Sequence, residues 1–463
     1  MLISQMLEML MGIFTRWKER FESGNARSVR ARKNVLLALV YKGLGLIIGF
    51  AYFPISLEYL TTEKFGIFLT LSSMIDWFAE LDIGLGNSLR NRYGEAIADG
   101  DDAKAKGYVS TAYFVLGSIF SGVTVLFIGI SFFIPWSNWL RADPNLNSEI
   151  TILVVIMLGA FAVRFISSQI YQIFYALQRV AMVNLFNFLT KLSFLIVIIF
   201  LFYFTEESLL FFGAAKAMTF ALIPFLIALI YFRGVFKTHR PSLRLVNKKY
   251  FRGLFSLGVQ FFIIKVSMIV IHQTNNFLIA RFVGLEEVPE YEAAYKYLSI
   301  FLILFVILTN QLWSANTEAY RKGDLNWMRR SVKAVFQIWL ATVGLSVIMI
   351  FISPFVFELW LGDRIEIPIM LTITVAVSIA ITTWVNMYNL VLNGTGKIRL
   401  QMYGWIATGI INIPVSIWLA TVMELGTLGI VIGTILSMIP LAILSPIQVR
   451  KILATTDAGL WSR

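Results

Sequence analysis

The stretch "NSLRNRYGEAIADGD", residues 87–101, decides how the chain is built, because it returns as "NQLWSANTEAYRKGD" at residues 310–324. At a constant offset of 223 residues, Asn87 falls on Asn310, Leu89 on Leu312, Glu95-Ala96 on Glu318-Ala319 and Gly100-Asp101 on Gly323-Asp324. Chance matches are common between apolar segments, but this run is polar and gapless. The same offset sets Lys42 on Lys265, each a cation inside a long apolar segment. Looser echoes follow as loop lengths drift: Pro135 with Trp139-Leu140 against Pro354 with Trp360-Leu361, and Gly213 with Ile223-Pro224 against Gly429 with Ile439-Pro440. The chain reads as a duplicated half.

Of its 463 residues, 58% are hydrophobic and only 14% are charged. Soluble globular chains carry about 25% charged residues. Runs of roughly 20 apolar residues, enough for a helix to cross about 30 Å of hydrocarbon, recur throughout, and the alternating ten-residue strands of a barrel do not. The expected fold class is all-α integral membrane. Twelve segments fall near 34–57, 65–88, 108–134, 150–175, 183–204, 209–232, 254–280, 292–314, 332–353, 367–391, 402–422 and 427–449. Six spans per half leave both copies in the same orientation, a parallel repeat of two six-helix lobes related by an axis along the membrane normal. The expected division is a basic amphipathic segment at 1–33, lobes at 34–232 and 254–449, a basic linker at 233–253 and a tail at 450–463. In the first segment Leu2, Met6, Met9, Leu10, Ile13, Trp17 and Phe21 recur at helical spacing. The cations follow this apolar stretch instead of preceding it, so it reads as an interfacial helix and not a signal peptide.

The net charge of +12 would suggest nucleic acid in a soluble protein. Here placement explains it. With the N-terminus in the cytoplasm, 28 of the 39 Lys and Arg residues fall on cytosolic segments and four, Lys64, Arg141, Arg281 and Arg364, on the other side. The positive-inside rule then sets both termini in the cytoplasm. There is no cysteine and there are two histidines, His239 and His272, so disulfides, thiolate metal sites and cysteine nucleophiles are excluded. A metalloenzyme reading is poor, and neither metal nor cofactor is expected. No Gly-x-x-x-x-Gly-Lys loop is present to bind ATP. Loops on the far side reach about 15 residues at most, which leaves little room for an exposed catalytic domain.

Seven cations remain inside apolar segments: Lys42, Arg164, Lys191, Lys216, Lys265, Lys296 and Lys333. A charge at the bilayer centre costs about 2.5–3.5 kcal/mol on insertion scales, so such residues face a water-filled cavity or a substrate path. Lys42 and Lys265, set at the same place in each half, point to a receptor for an anion, with Arg164 beside them. Lys191 and Lys216 add positive charge, either for the cargo or by snorkelling and pairing with acids. Lys296, about one turn from "PEYEAAY", and Lys333, after Arg329-Arg330, read as interfacial anchors. Asp76 and Glu80 are four residues apart, on one helix face, with Asp82 turned away. Two carboxylates at that spacing repel, which suits a proton or sodium site, or else partners for Lys42, Lys191 or Arg164. Asn184, Asn187, Asn386, Asn389, Asn393 and Asn412 read as interhelical hydrogen bonders, with sugar contact as the alternative.

The stretch "EKFGIFLTLSSMIDWFAELDIGLGNSLRNRYGEAIADGD", with its echo "NQLWSANTEAYRKGD", resembles the bacterial polysaccharide flippases of the O-antigen, or Wzx, type in the multidrug/oligosaccharidyl-lipid/polysaccharide (MOP) exporter superfamily. The resemblance spans nearly the whole chain, and its motifs are diffuse. It implies a MATE-like fold of two six-helix lobes around a central cavity, with helices 1 and 7, and so Lys42 and Lys265, lining it. It implies a cargo of undecaprenyl-pyrophosphate-linked oligosaccharide, moved across the bacterial inner membrane, with lipids and polysaccharide polymerase or ligase machinery as partners. The rival is a cation-coupled multidrug antiporter of the MATE type, whose site for cationic drugs would be net acidic. Helix-buried charge favours the anionic cargo. A major-facilitator carrier shares the helix count, but the Gly-x-x-x-Asp-Arg/Lys-x-Gly loop between helices 2 and 3 is missing.

Overall fold

The computed structural model describes residues 26–462, apart from 81–84, 178, 249, 252–263, 265, 269–270, 272–273, 310–311 and 457–458. The interfacial helix expected near the N-terminus lies outside the described residues. Among those described there is no strand. The first half contains α1 (Ala26–Tyr59), α2 (Thr62–Glu80), α3 (Leu85–Ala98), α4 (Asp102–Ser131), α5 (Trp136–Leu140), α6 (Asn147–Ser167), α7 (Ile170–Ala176), α8 (Val180–Phe204) and α9 (Leu209–Arg233). The second contains α10 (Asn275–Phe282), α11 (Glu287–Thr309), α12 (Leu312–Arg321), α13 (Leu325–Leu361), α14 (Ile369–Thr395), α15 (Arg399–Thr421) and α16 (Gly426–Leu453). Nine described helices are long and apolar enough to cross a membrane. The other three expected segments, 65–88, 254–280 and 292–314, each include residues outside the description.

The polar repeat has a physical purpose. At the end of α3, Gly100 turns left-handed at φ 73° and the Asp101 amide donates back to the Ala96 carbonyl at 2.9 Å. The Asp101 carboxylate then accepts from the Lys104 amide at 2.8 Å and starts α4. The second half builds the same joint: Gly323 at φ 70°, the Asp324 amide on the Ala319 carbonyl at 2.9 Å, and the Asp324 carboxylate on the Trp327 amide at 2.9 Å. Glycine takes the left-handed conformation without a Cβ penalty and aspartate satisfies an orphan amide of the next helix, so this pair ends one helix and begins another. Helix pairing repeats as well. α4 packs on α6, α6 on α9 and α8 on α9, as α13 packs on α14, α14 on α16 and α15 on α16.

The two halves are welded at the end remote from the basic loops. One apolar cluster there takes Phe53, Phe65 and Phe68 from the first half and Leu285, Val288 and Tyr291 from the second. A Cβ on Gly66 of α2 would collide with the Leu285 carbonyl, so glycine permits that approach. Polar bonds follow the same seam. Arg364 pairs with Glu58 at 2.8 Å. Arg281 donates to the Asn138 carbonyl at 3.1 Å, Trp360 Nε1 to the Phe50 carbonyl at 2.9 Å and the Asn276 amide to Ser73 Oγ at 2.7 Å. Towards the basic end the core divides into separate clusters, one around Tyr93, Phe174 and Phe232, the other around Met328, Met387 and Val449.

The basic linker docks on the start of α4, where the Ser242 amide donates to Ser110 Oγ at 3.0 Å and the Tyr250 ring packs on Tyr108. His239 lies between Tyr93, 2.9 Å from Nδ1, and Asp102, 3.1 Å from Nε2. Burial, with the Asp102 charge second, pushes the Tyr93 phenol up to about 12. An ionised carboxylate only accepts, so Nε2–H donates to Asp102, and Nδ1 shares the other hydrogen bond with the Tyr93 hydroxyl.

Candidate functional site

Four helices of the first half each bring one cation inward: Lys42 on α1, Arg164 on α6, Lys191 on α8 and Lys216 on α9. They line two adjoining cavities of about 850 and 280 Å³, which share Gly45, Leu46, Arg164, Lys191 and Phe220. The larger reaches Tyr175 and Val180 beside the α7–α8 turn, near the basic end, and holds Lys42. The smaller lies deeper, against the welded end, and holds Lys216 together with Lys296 of α11.

The ammonium groups rest on neutral acceptors and rings. Lys191 Nζ donates to the Gly45 carbonyl at 3.2 Å, and Lys216 Nζ donates to Ser72 Oγ at 3.3 Å while lying 4.6 Å over the Phe68 ring. Lys296 Nζ donates to the Gly49 carbonyl and to Tyr52 Oη, each at 3.2 Å, and stacks over Tyr52 and Phe53. The Arg164 guanidinium lies 5.3 Å over the Phe220 ring. Gly45 and Gly49 leave one edge of α1 bare, and a carbonyl already bonded along its helix has a second lone pair to offer. Among the described residues Lys42, Lys191, Lys216 and Lys296 form no ion pair, and no carboxylate lines either cavity. A cation out of bulk water without a counter-charge is costly unless water or an anion completes it. The arrangement gathers positive charge in one space.

The wall nearer the basic end has a different character. Tyr41, Tyr171 and Tyr175 supply rings, and Gln169, Gln172 and Asn187 supply amides. Gln169 is buried with its side-chain oxygen lacking a hydrogen-bond partner. Rings and amides of this kind suit the faces and hydroxyls of sugars.

Of the residues expected from sequence, Lys42, Arg164, Lys191 and Lys216 come together. Lys265 and Asp82 lie outside the described residues, and Asp76 and Glu80 stand on α2 with side chains outside the description. Asn184 donates to the Ala38 carbonyl at 2.9 Å across α8 and α1, and Asn412 donates to Thr434 and Ser437 across α15 and α16, the interhelical role expected. Lys296 is the residue that sequence reading missed. The acids of "PEYEAAY" made it look interfacial, but α11 starts at Glu287, which sets Lys296 nine residues in. At 1.5 Å per residue that is about 13 Å from the helix start. Pro289, in the first turn, was the available signal.

A repeated helical bundle around a polar cavity is the plan of a secondary transporter. The fold is that of a multidrug resistance MATE family transporter of the MOP superfamily in its inward-facing conformation: TM-score 0.68, 15% identity, over 91% of this chain and 96% of that one. A MATE family transporter in the outward-facing conformation matches with TM-score 0.61 and 14% identity over 95% and 98% of the two chains. The chain belongs to the polysaccharide biosynthesis protein family, whose pattern matches residues 31–313. A Salmonella typhi protein that carries the name O-antigen transporter is 23% identical, over 74% of this chain and 78% of its own length. A Yersinia pseudotuberculosis protein named for O-antigen export is 21% identical, over 77% and 81%.

Proposed function

We propose that the chain moves a lipid-linked oligosaccharide pyrophosphate across the bacterial inner membrane, the undecaprenyl-linked repeat unit of a surface polysaccharide such as O-antigen. The observation that carries this reading is the joined cavity with five cations and no carboxylate among its described lining residues. A pyrophosphate cannot enter hydrocarbon bare, whereas its polyprenyl tail is at home there, so the carrier needs a hydrated cationic slot. Lys42, Arg164, Lys191 and Lys216 form that slot, and Lys265 is assigned to it by the repeat. Ligand pockets span about 300–1,000 Å³, so the space suits a repeat unit of a few sugars. A MATE-type drug antiporter is disfavoured by the same charges, which repel a cationic drug.

Two lobes, 34–232 and 254–449, would rock about this fixed site. The basic end faces the cytoplasm and the welded end the periplasm, with both termini cytoplasmic, so cargo enters from the leaflet where it is assembled. Polymerase or ligase machinery would receive it.

One experiment tests cargo and orientation together. Lys42→Ala and Arg164→Ala proteins, present in the membrane at normal levels, should lose surface polysaccharide and bind inorganic pyrophosphate at least about ten-fold more weakly, the loss of one charge-assisted contact. In the same cells a cysteine at Lys248 should resist an impermeant thiol reagent and one at Asn138 should react, both positions being exposed in a chain without cysteine. Normal surface glycan from well-expressed variants would sink the cargo reading. Equal labelling would sink the orientation.

A further inference from the structure

Lys296 differs from every other cation in the cavity because it belongs to the second half of the chain and reaches across to the first. Its Nζ holds the Gly49 carbonyl and Tyr52 Oη of α1, each at 3.2 Å, above the Tyr52 and Phe53 rings. One turn earlier on the same helix, Glu292 accepts from the Asn276 amide at 3.2 Å, and that amide also donates to Ser73 Oγ of α2 at 2.7 Å. Lys296, Gly49 and Tyr52 line the 280 Å³ chamber, and the Asn276 bonds continue the seam one helical turn away. The other bonds of the seam among the described residues, Arg364–Glu58, Arg281 to Asn138 and Trp360 to Phe50, are made by residues that line neither cavity, Phe50 excepted. Of the described side chains that bond across the seam, Lys296 is the charged one that lines the cavity.

We propose that the inner chamber is a second anion subsite, formed by Lys216 and Lys296, and that a pyrophosphate entering it draws Lys296 off Gly49 and Tyr52, loosening the weld when cargo has arrived. This rests on the reading of the cargo as a pyrophosphate. The direction follows from relative strength. A lysine bonded to a carbonyl and a phenol exchanges neutral acceptors for charged oxygens, and bonds between two charged groups are shorter and roughly twice as strong. A ligand shifts a conformational equilibrium only as far as it binds the two states differently. The lysine supplies that difference: in the closed state part of its bonding capacity is committed to α1, and in the open state all of it is available to the anion. An empty carrier therefore keeps its far end shut.

The test uses the full chain in lipid nanodiscs, spin-labelled at Asn145→Cys and Met423→Cys, exposed positions at the welded end of the two halves. Inorganic pyrophosphate is the probe, its binding followed by calorimetry and the label distance by pulsed electron resonance. The wild type should show a short distance that lengthens with pyrophosphate. Lys296→Ala should be long already without ligand, with the open-to-closed ratio raised roughly ten-fold, as for a lost bond to a charged group. Added pyrophosphate should then change little, although it still binds through Arg164 and Lys191. Tyr52→Phe keeps the lysine charge and removes one latch acceptor, so it should open part-way and still respond. It covers the case in which Lys296→Ala does not fold. Pyrophosphate that binds the wild type without moving the labels overturns the latch and leaves the cargo reading standing. A Lys296→Ala protein that is closed and responsive like the wild type does the same. Absence of pyrophosphate binding to the wild type overturns both.

Discussion

Two interiors built on one helix plan are filled in opposite ways. Between α1, α6, α8 and α9 the first half keeps an open space edged by Lys42, Arg164, Lys191 and Lys216. Between α14, α15 and α16 the second half closes on Val385, Trp405 and Met438, all fully buried. Its described polar groups there are neutral. The Asn412 amide donates to Thr434 Oγ1 at 3.2 Å and Ser437 Oγ at 3.3 Å, and the Thr434 hydroxyl reaches Asn275 Oδ1 at 3.3 Å. Duplication copied the helices, their joints and their pairing, which depend on local sequence. Apart from the Lys42–Lys265 match, it preserved few of the polar residues of these helices, because a helix in lipid tolerates lysine or asparagine on an inward face without changing its course. The first half keeps most of the cationic space, and the described interior of the second is closed and neutral.

The comparison is broken most directly by exchanging the two kinds of polar group for apolar ones. Lys191→Met should reduce surface polysaccharide more than ten-fold and leave the thermal midpoint unchanged or raised, since a half-buried ammonium held by one carbonyl is poorly compensated. Asn412→Leu strips Thr434 and Ser437 of their donor and should lower stability by about 1–3 kcal/mol, with transport per folded molecule near normal. Thermal unfolding of the purified proteins beside a surface-glycan assay reads both. The reverse pattern, with Lys191→Met unfolding and Asn412→Leu folded but inert, would mean that the halves have been assigned the wrong roles.

A second contrast concerns acids. At the offset of the repeat, Asp76 and Glu80 correspond to Ser299 and Ile303, both of which line the cavity. We propose that the acids, found in the first half alone, couple transport to a proton or sodium gradient, with Asp82 as the remaining candidate. Asp76→Asn and Glu80→Gln should then slow gradient-driven flipping in vesicles several-fold while basal exchange continues. Full gradient dependence in both variants would leave the carboxylates a structural role.

The smallest effect is expected where the halves are alike. Asp101→Ala and Asp324→Ala each remove an N-cap, so each should cost about 1 kcal/mol of stability, and the double variant should cost the sum, the sites being far apart. Unequal costs, measured by denaturant unfolding in one detergent, would show that the joint carries load in one half only.

The joint was legible in the sequence because it is local. Gly100-Asp101 and Gly323-Asp324 act on backbone within five residues of themselves, and a match in sequence is a match in geometry. The cavity was legible in part. Lys42, Arg164, Lys191 and Lys216 stood out as cations in apolar runs, for which the membrane leaves few other places. Lys296 did not, because nearby Glu290 and Glu292 made its surroundings look like the edge of a span. Snorkelling and cavity-lining lysines differ only in where the neighbouring helices stand.

Composition, charge distribution and repeat spacing by themselves determined that this is a helical membrane protein, internally duplicated and carrying cations away from water. These are sums or periods along one chain. Tertiary structure alone decided that the cations of four helices meet in one space, that Lys296 joins them from the other half, and that the halves are welded at one end and divided at the other. Lipid and bundle interior are about equally apolar, so hydrophobicity does not tell an inward helix face from an outward one, and only close packing at places such as Gly66 against Leu285 makes the choice.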